Sequence, residues 1–230
     1  MMFNDHIHAA LARERNGALL AGAEAARWSR QARAARRQPA APPGSRVVLR
    51  DGSGVLIRSV DSTDAPLLAD GFTRLSATSR WMRFLTAKRE LSPAELRYLT
   101  DLDHHDHEAL GALDQGDGRG VGIARYVRSA DDPYAADIAV TIVDDWQGRG
   151  LGTELLARLS DRALDEGIHR FTALVAAENE VVGRLLRKMC ASLVSRESST
   201  LEYEIALVPG AKQDGGRGGL LQPATARAPW

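Results

Sequence analysis

The stretch VTIVDDWQGRGLGTELLARL, Val140 to Leu159, limits what this chain can fold into more than any other. An apolar run with strand-like residues passes within a few positions into the Leu151, Leu155, Leu156, Leu159 spacing of a helix. Glycines at 148, 150 and 152 stand at the junction. A helix start exposes N–H groups that have no intrahelical partner, together with the positive end of the macrodipole, and both suit an anion. Glycines there leave no Cβ between those amides and approaching phosphate oxygens. Two familiar phosphate motifs fail on residue type. A P-loop needs Gly-Lys-Ser/Thr, and this turn has no lysine. A dinucleotide fingerprint needs glycine at 153, which is threonine, and an acid ending the next strand, where only Glu178 stands. The pattern present is Gln147-x-x-Gly150-x-Gly152.

The flanking segments place this turn in an α+β domain. VVLRDGSGVLIRSV reads as a hairpin turning at DGSG, and DSTDAPLLADGFTRLSATSRWMRFL as one or two helices after cap residues. LSPAELRYLT is a short helix, with Ser92 as cap and Pro93 at the first position. HEALGAL and GVGIARYVRS read as antiparallel neighbours, followed by the strand ADIAVTIV and a helix from about 150 to 166. RFTALVA is the next strand, ENEVVGRLLRKM the next helix, and SLVSRESSTLEYEIAL a closing pair of strands. No internal repeat is evident.

The ends differ from this body in charge and composition. Residues 1–46 carry eight arginines against Asp5, Glu14 and Glu24, although the whole chain has 30 residues of each sign. Residues 1–37 therefore read as a basic helical or disordered arm with Arg27, Arg30, Arg33 and Arg37 in a stripe. Residues 38–45 read as a Pro-rich linker, 46–208 as the folded domain, and 209–230 as a Gly- and Pro-rich disordered tail. A mildly acidic body with few aromatics argues against nucleic acid as a partner. No run has the length of a membrane span, and the first residues lack the compact apolar core of a secretory signal. One cysteine, Cys190, allows no intrachain disulfide, so a cytoplasmic protein is expected, with Cys190 in the core.

The ordered set ADIAVTIV, DDWQGRGLGTELL, GIHRFTALV and Asn179 opening the next helix resembles the GNAT superfamily of acetyl-CoA-dependent N-acetyltransferases, whose pyrophosphate loop is Gln/Arg-x-x-Gly-x-Gly/Ala. The likeness runs from about 47 to 207. Within that superfamily, DAPLLADGFTRLSATSRWMRF, DHHDHEALGAL and GIARYVRSADDPYAADIAVTI are similar to bacterial Pat-like protein lysine acetyltransferases. In those proteins the domain is often fused to a nucleotide-binding or ligase module, and this chain is expected to carry the acetyltransferase domain without one. The resemblance implies a mixed, mostly antiparallel sheet flanked by helices, with acetyl-CoA as co-substrate and no metal. It implies that backbone groups of Val140, Thr141 and Ile142 pair with the pantetheine arm like an added strand. The amides of Gly148, Arg149, Gly150, Leu151, Gly152 and Thr153 would hold the pyrophosphate, with Arg149 adding charge to the phosphates, Gln147 a further cofactor-binding residue of that loop, and Asn179 holding the arm near the thioester.

The acceptor implied is a protein lysine or a small amine, by direct attack on the acetyl group. A lysine amine with a pKa near 10.4 is mostly protonated at pH 7, so a general base is expected, acting directly or through water. Where the Pat-like proteins have glutamate in AEIAF, this chain has Asp137 in ADIAV, one methylene shorter. Alternation puts Asp137, Ala139 and Thr141 on one face and Ile138, Val140 and Ile142 on the other, toward the core helices. The tyrosine that protonates the departing thiolate in many members is Leu186 here, and Tyr203 lies outside that motif. These two departures keep open a non-catalytic acyl-CoA-binding regulatory module as an alternative. DHHDHE at 103–108 offers His104, His105 and His107, but adjacent ligands on a short loop rarely converge on one ion, so metal binding is not expected. Glu108 is a candidate for the acceptor side. The oligomeric state, monomer or homodimer, stays open.

Overall fold

The computed structural model of the chain describes residues 44–208, so the basic arm, most of the linker and the tail lie outside the described residues. The chain runs β1 (Ser45–Val48), β2 (Gly54–Ser59), α1 (Ala65–Thr73), α2 (Ala77–Phe84), α3 (Pro93–Thr100), β3 (His107–Asp114), β4 (Gly120–Arg128), β5 (Ala135–Ile142), α4 (Leu151–Asp165), β6 (Arg170–Ala176), α5 (Glu180–Lys188), β7 (Ser192–Arg196) and β8 (Thr200–Ala206). The stretch read as one or two helices is two, α1 and α2, with a single 3-10 turn over Ser62–Asp64 before them. β1 begins at Ser45, the last residue of the stretch read as linker.

The strands form one eight-stranded sheet in the order β1-β2-β3-β4-β5-β6-β8-β7. Each neighbouring pair is antiparallel except β5–β6, which is parallel. A parallel pair needs a crossover, and α4 supplies it. This helix is held by its inward stripe of Leu151, Leu155, Leu156, Leu159 and Ala163, all buried against the face of the sheet that carries Tyr126, Phe171 and Ile205. Burying each of those leucines contributes about 1.5–3 kcal/mol. The other face is covered by α1 and α3, where Val60, Leu102 and Ala109 form a smaller core with Leu68 and Ile123 packed on it.

Local chemistry sets the helix ends. Ser92 and Glu95 form a reciprocal capping box, with Pro93 in the first turn of α3. The Ser76 side chain caps α2 by accepting from the Ser79 N–H at 3.1 Å. The Asp144 carboxylate accepts from the Ser76 N–H at 2.8 Å and from the Ser79 hydroxyl at 2.6 Å, tying α2 to the end of β5. At α5 the Ala191 N–H donates to the Leu186 carbonyl and the Cys190 N–H to the Arg187 carbonyl, a Schellman ending. Cys190 takes its left-handed position at φ 58° and is exposed. The expectation of a core cysteine is therefore corrected. Cys190 stands one residue past the apolar stripe, at the place where a helix usually ends on glycine.

Candidate active site

β5 and β6 pair only over Ala135↔Arg170, Ala136↔Phe171 and Asp137↔Thr172. Beyond Asp137 the two strands part, β5 staying with β4 and β6 with β8. A wedge opens between them, with Asp137 and Thr172 at its apex. Contacts near the ends of β5 establish which main-chain groups line it. The Ala135 carbonyl accepts from the Ser129 N–H and the Val143 N–H donates to the Val121 carbonyl, so odd-numbered residues turn toward β4. The Tyr134 carbonyl accepts from the His169 and Arg170 N–H groups on the β6 side. Alternation along an antiparallel ladder then turns the main chain of Ile138, Val140 and Ile142 into the wedge and that of Thr141 toward β4. The sequence pattern names Thr141 among the pairing residues and misses Ile138, because the parity depends on which strand lies on which side. The side chains of Ile138, Val140 and Ile142 pack on the α4 core, while Ala139 and Thr141 line a cleft on the opposite face.

At the far end of β5 the Gln147 side chain donates to the Ile142 carbonyl at 3.1 Å, holding the glycine turn against the strand. Gly148 (φ 76°) and Gly150 (φ 95°) occupy backbone conformations that side chains rarely adopt. Among the described residues, the amides of Gly148, Arg149, Gly150, Leu151 and Gly152 donate to no carbonyl, whereas the Thr153 N–H donates to the Gly150 carbonyl at 3.1 Å. The turn therefore offers a row of unpaired donors at the positive end of α4. Gly152 is bare for a different reason. A Cβ there would meet Leu185 at 3.2 Å, so its absence lets α4 approach α5.

Arg149 has its guanidinium engaged within the protein. It donates to the Asp145 carbonyl, pairs with Asp51 at 3.0 Å and lies 4.7 Å over the Trp146 ring. It braces the turn against the β1–β2 hairpin. Arg50 is the cation that comes up beside Gly150, where a Cβ would meet its Nε at 3.3 Å. No motif flags Arg50, because the hairpin that carries it joins the turn only through the fold.

Asn179 caps α5, its side-chain oxygen accepting from the Val182 N–H at 3.1 Å, which leaves its amide nitrogen as the donor available to another group. Leu186 is buried in the core, and no hydroxyl stands at that position. The Tyr203 hydroxyl reaches the same helix on the next turn back, 3.6 Å from where a Cβ on Gly183 would lie. Asp137 accepts a hydrogen bond from the Thr172 hydroxyl, which holds the carboxylate at the apex.

Glu108 does not lie on the acceptor side. It is fully buried on the α4 face, 3.3 Å from Arg162, with its other oxygen 3.0 Å from His104 Nδ1 and accepting from the Ala109 N–H. Strand alternation from His107 assigns it to the face opposite Ala109, which the sequence did not connect to α4. The hydrogen bond to Glu108 raises the His104 pKa, against the opposing pull of burial. The three histidines diverge: His104 turns to Glu108, His105 to Glu166, and His107 to the Tyr98 ring at 5.1 Å. Among the described residues no cluster of three or more metal-ligating side chains occurs. None of the described helices is long and apolar enough to cross a membrane.

Residues 55–190 match the family of the acetyltransferase (GNAT) domain. The chain belongs to the GNAT acetyltransferase family. It is an acyltransferase, with the mixed and mostly antiparallel sheet that the family's structures share. It is 37% identical over 147 residues to the acetyltransferase PA5475 of Pseudomonas aeruginosa, covering 63% of this chain and 76% of that protein. It is 28% identical over 163 residues to the acetyltransferase Pat of Mycolicibacterium smegmatis, covering 71% of this chain and 49% of that protein, so it spans about half of that relative. The crystal structure of the GNAT domain of S. lividans PAT superposes with a TM-score of 0.68 at 27% identity, over 71% of this chain and 97% of that domain.

Proposed function

We propose that this acyltransferase moves an acetyl group from acetyl-CoA to the amine of a protein lysine in the cytoplasm, with Asp137 as general base, directly or through one water. The observation that carries the reading is the wedge itself. It has an unpaired strand edge with the amides of the glycine turn at one end and a carboxylate at its apex. From Asp137 to Ile142 the edge runs about 17 Å at the rise of a strand.

The fit to acetyl-CoA follows from the donors on hand. The Val140 N–H and C=O and the Ile142 N–H would pair with the amides of the pantetheine arm as an added strand does. The amides from Gly148 to Gly152 would take the pyrophosphate, with Arg50 adding charge and Arg149 keeping the turn in shape. The Asn179 side-chain N–H would reach the arm from the α5 side. The thioester supplies an electrophilic carbonyl carbon, to which the amine nitrogen bonds as the carbon–sulfur bond breaks. Asp137 receives the proton that the amine must lose. Thr172 holds that carboxylate on the face that Ala139 and Thr141 also present. The departing thiolate is a far weaker base than an amine, so it can leave without a dedicated acid at Leu186.

The preference for protein lysine rests on the likeness to Pat. The test is the release of free coenzyme A from acetyl-CoA, measured with a set of lysine-containing protein and peptide acceptors and in parallel with small amines. Release with the lysine acceptors and their acetylation by mass spectrometry is the expected result. Tight acetyl-CoA binding without release toward any acceptor refutes the proposal.

A further inference from the structure

The cleft on the α1–α3 side of the sheet carries a charge pattern that acetyl transfer does not use. It encloses ≈ 850 Å³, its open mouth included. Its walls are mostly apolar, with Leu68, Phe72, Phe84, Leu99 and Ile123 among them. Three arginines face it, Arg58, Arg83 and Arg125, against one acid, Asp64. Asp64 is committed. It is 2% exposed and receives both Arg58 nitrogens at 2.6 and 2.5 Å as well as the Asp61 N–H.

Arg83 and Arg125 have no carboxylate among the described residues. Arg125 is 7% exposed, and its guanidinium lies 4.7 Å over the Tyr98 ring. Arg83, on α2, lies 5.0 Å from its neighbour Phe84. Burial and the Arg125 charge press the Arg83 pKa down to about 10, so Arg83 is still a cation at neutral pH, set against the Arg125 guanidinium. Two like charges held in an apolar cleft with no carboxylate partner among the described residues oppose folding. A guanidinium offers paired N–H donors in the plane that a carboxylate accepts.

We propose that this cleft is a binding site for a carboxylate on a short apolar stem, held by Arg83 and Arg125. The charges bind the acid and the apolar walls take the stem. The floor of the cleft includes Ala139 and Thr141 of β5, the strand assigned above to the thioester arm, so the acid belongs to a molecule at the reacting end. Two sources share this chemistry: an acyl-CoA whose acyl chain ends in a carboxylate, or an acceptor whose amine is accompanied by one. The choice between them rests on the acyl-transfer reading. The binding of the acid does not.

The first arm needs no turnover. Pentanoate is titrated into the full chain by calorimetry and thermal shift, with pentanol as the neutral control. Pentanoate should bind and raise Tm, pentanol should not, and Arg83→Met or Arg125→Met should weaken pentanoate at least tenfold. Without ligand, Arg125→Met should leave Tm unchanged or higher, since it removes an unpaired buried charge, whereas a purely structural arginine would lower it. Equal binding of pentanoate and pentanol, or pentanoate affinity unchanged in both variants, overturns the site. The second arm compares kcat/KM for acetyl-CoA and succinyl-CoA, each with hexylamine and with 6-aminohexanoate. A preference for succinyl-CoA that Arg83→Met removes assigns the acid to the donor. A preference for 6-aminohexanoate that it removes assigns the acid to the acceptor. Pentanoate binding without turnover toward these amines or toward the lysine acceptors named above would sink the acetyl-transfer reading and leave the site standing. Turnover without pentanoate binding would do the reverse.

Discussion

Replacing Asp137 with asparagine separates proton acceptance from everything else that this residue does. The amide keeps an oxygen that can accept from the Thr172 hydroxyl, so the apex of the wedge and the last β5–β6 pair should survive. A half-buried site that keeps its hydrogen bond should shift stability by no more than about 0.5 kcal/mol. The contacts proposed for acetyl-CoA are main-chain groups of β5 and the glycine turn and the Asn179 amide, none of them the Asp137 carboxylate, so acetyl-CoA affinity should stay within about twofold. Turnover is where the loss should fall. At pH 7 only about one lysine amine in 2,500 is unprotonated, and general-base assistance is worth about 10²- to 10⁴-fold. Asp137→Asn should therefore lower kcat by about a hundredfold or more at pH 7, or about 2.7 kcal/mol of barrier. The deficit should shrink by up to about tenfold for each pH unit as free amine accumulates. The assay is steady-state thiol release from pH 6.5 to 9.5 on a lysine peptide, with calorimetric titration of acetyl-CoA beside it. Undiminished turnover, or a deficit of constant size across that range, removes Asp137 as the base.

Other consequences follow from neighbouring geometry. Gly150→Ala forces a side chain into φ 95° and against Arg50, so the fold should lose about 1–2 kcal/mol and acetyl-CoA should bind at least tenfold more weakly by calorimetry. The His104 pKa is raised in the folded state by its hydrogen bond to Glu108, so that pair stabilises the fold fully below about pH 6.5 and loses its effect as pH rises through the raised value. Thermal melts should accordingly show Tm falling as pH rises above about 6.5, with a shallower slope in Glu108→Gln. Cys190→Gly relieves a left-handed position at the end of α5 and should add about 1 kcal/mol, seen as a Tm higher by about 2–4 °C.

What the sequence alone determined about this protein lies within a few residues of itself. The Ser92–Glu95 capping box, the glycines at 148 and 150, the leucine stripe of α4 and the alternation along β5 all act over one or two turns or a single strand. Those interactions are present whatever the rest of the chain does, so the β-turn-α unit and the two faces of β5 were legible together with the family resemblance. Only the tertiary structure decided which element covers each face. The parity that puts Ile138 rather than Thr141 on the open edge depends on β4 and β6 lying on known sides of β5. Arg149 and Asp51, Glu108 and Arg162, and Asp137 and Thr172 each meet across tens of residues. Arg83 from α2 and Arg125 from β4 come to share one cleft in the same way. Periodicity records which side chains share a face. It does not record what that face meets, because a contact between distant segments leaves no spacing in the chain to read.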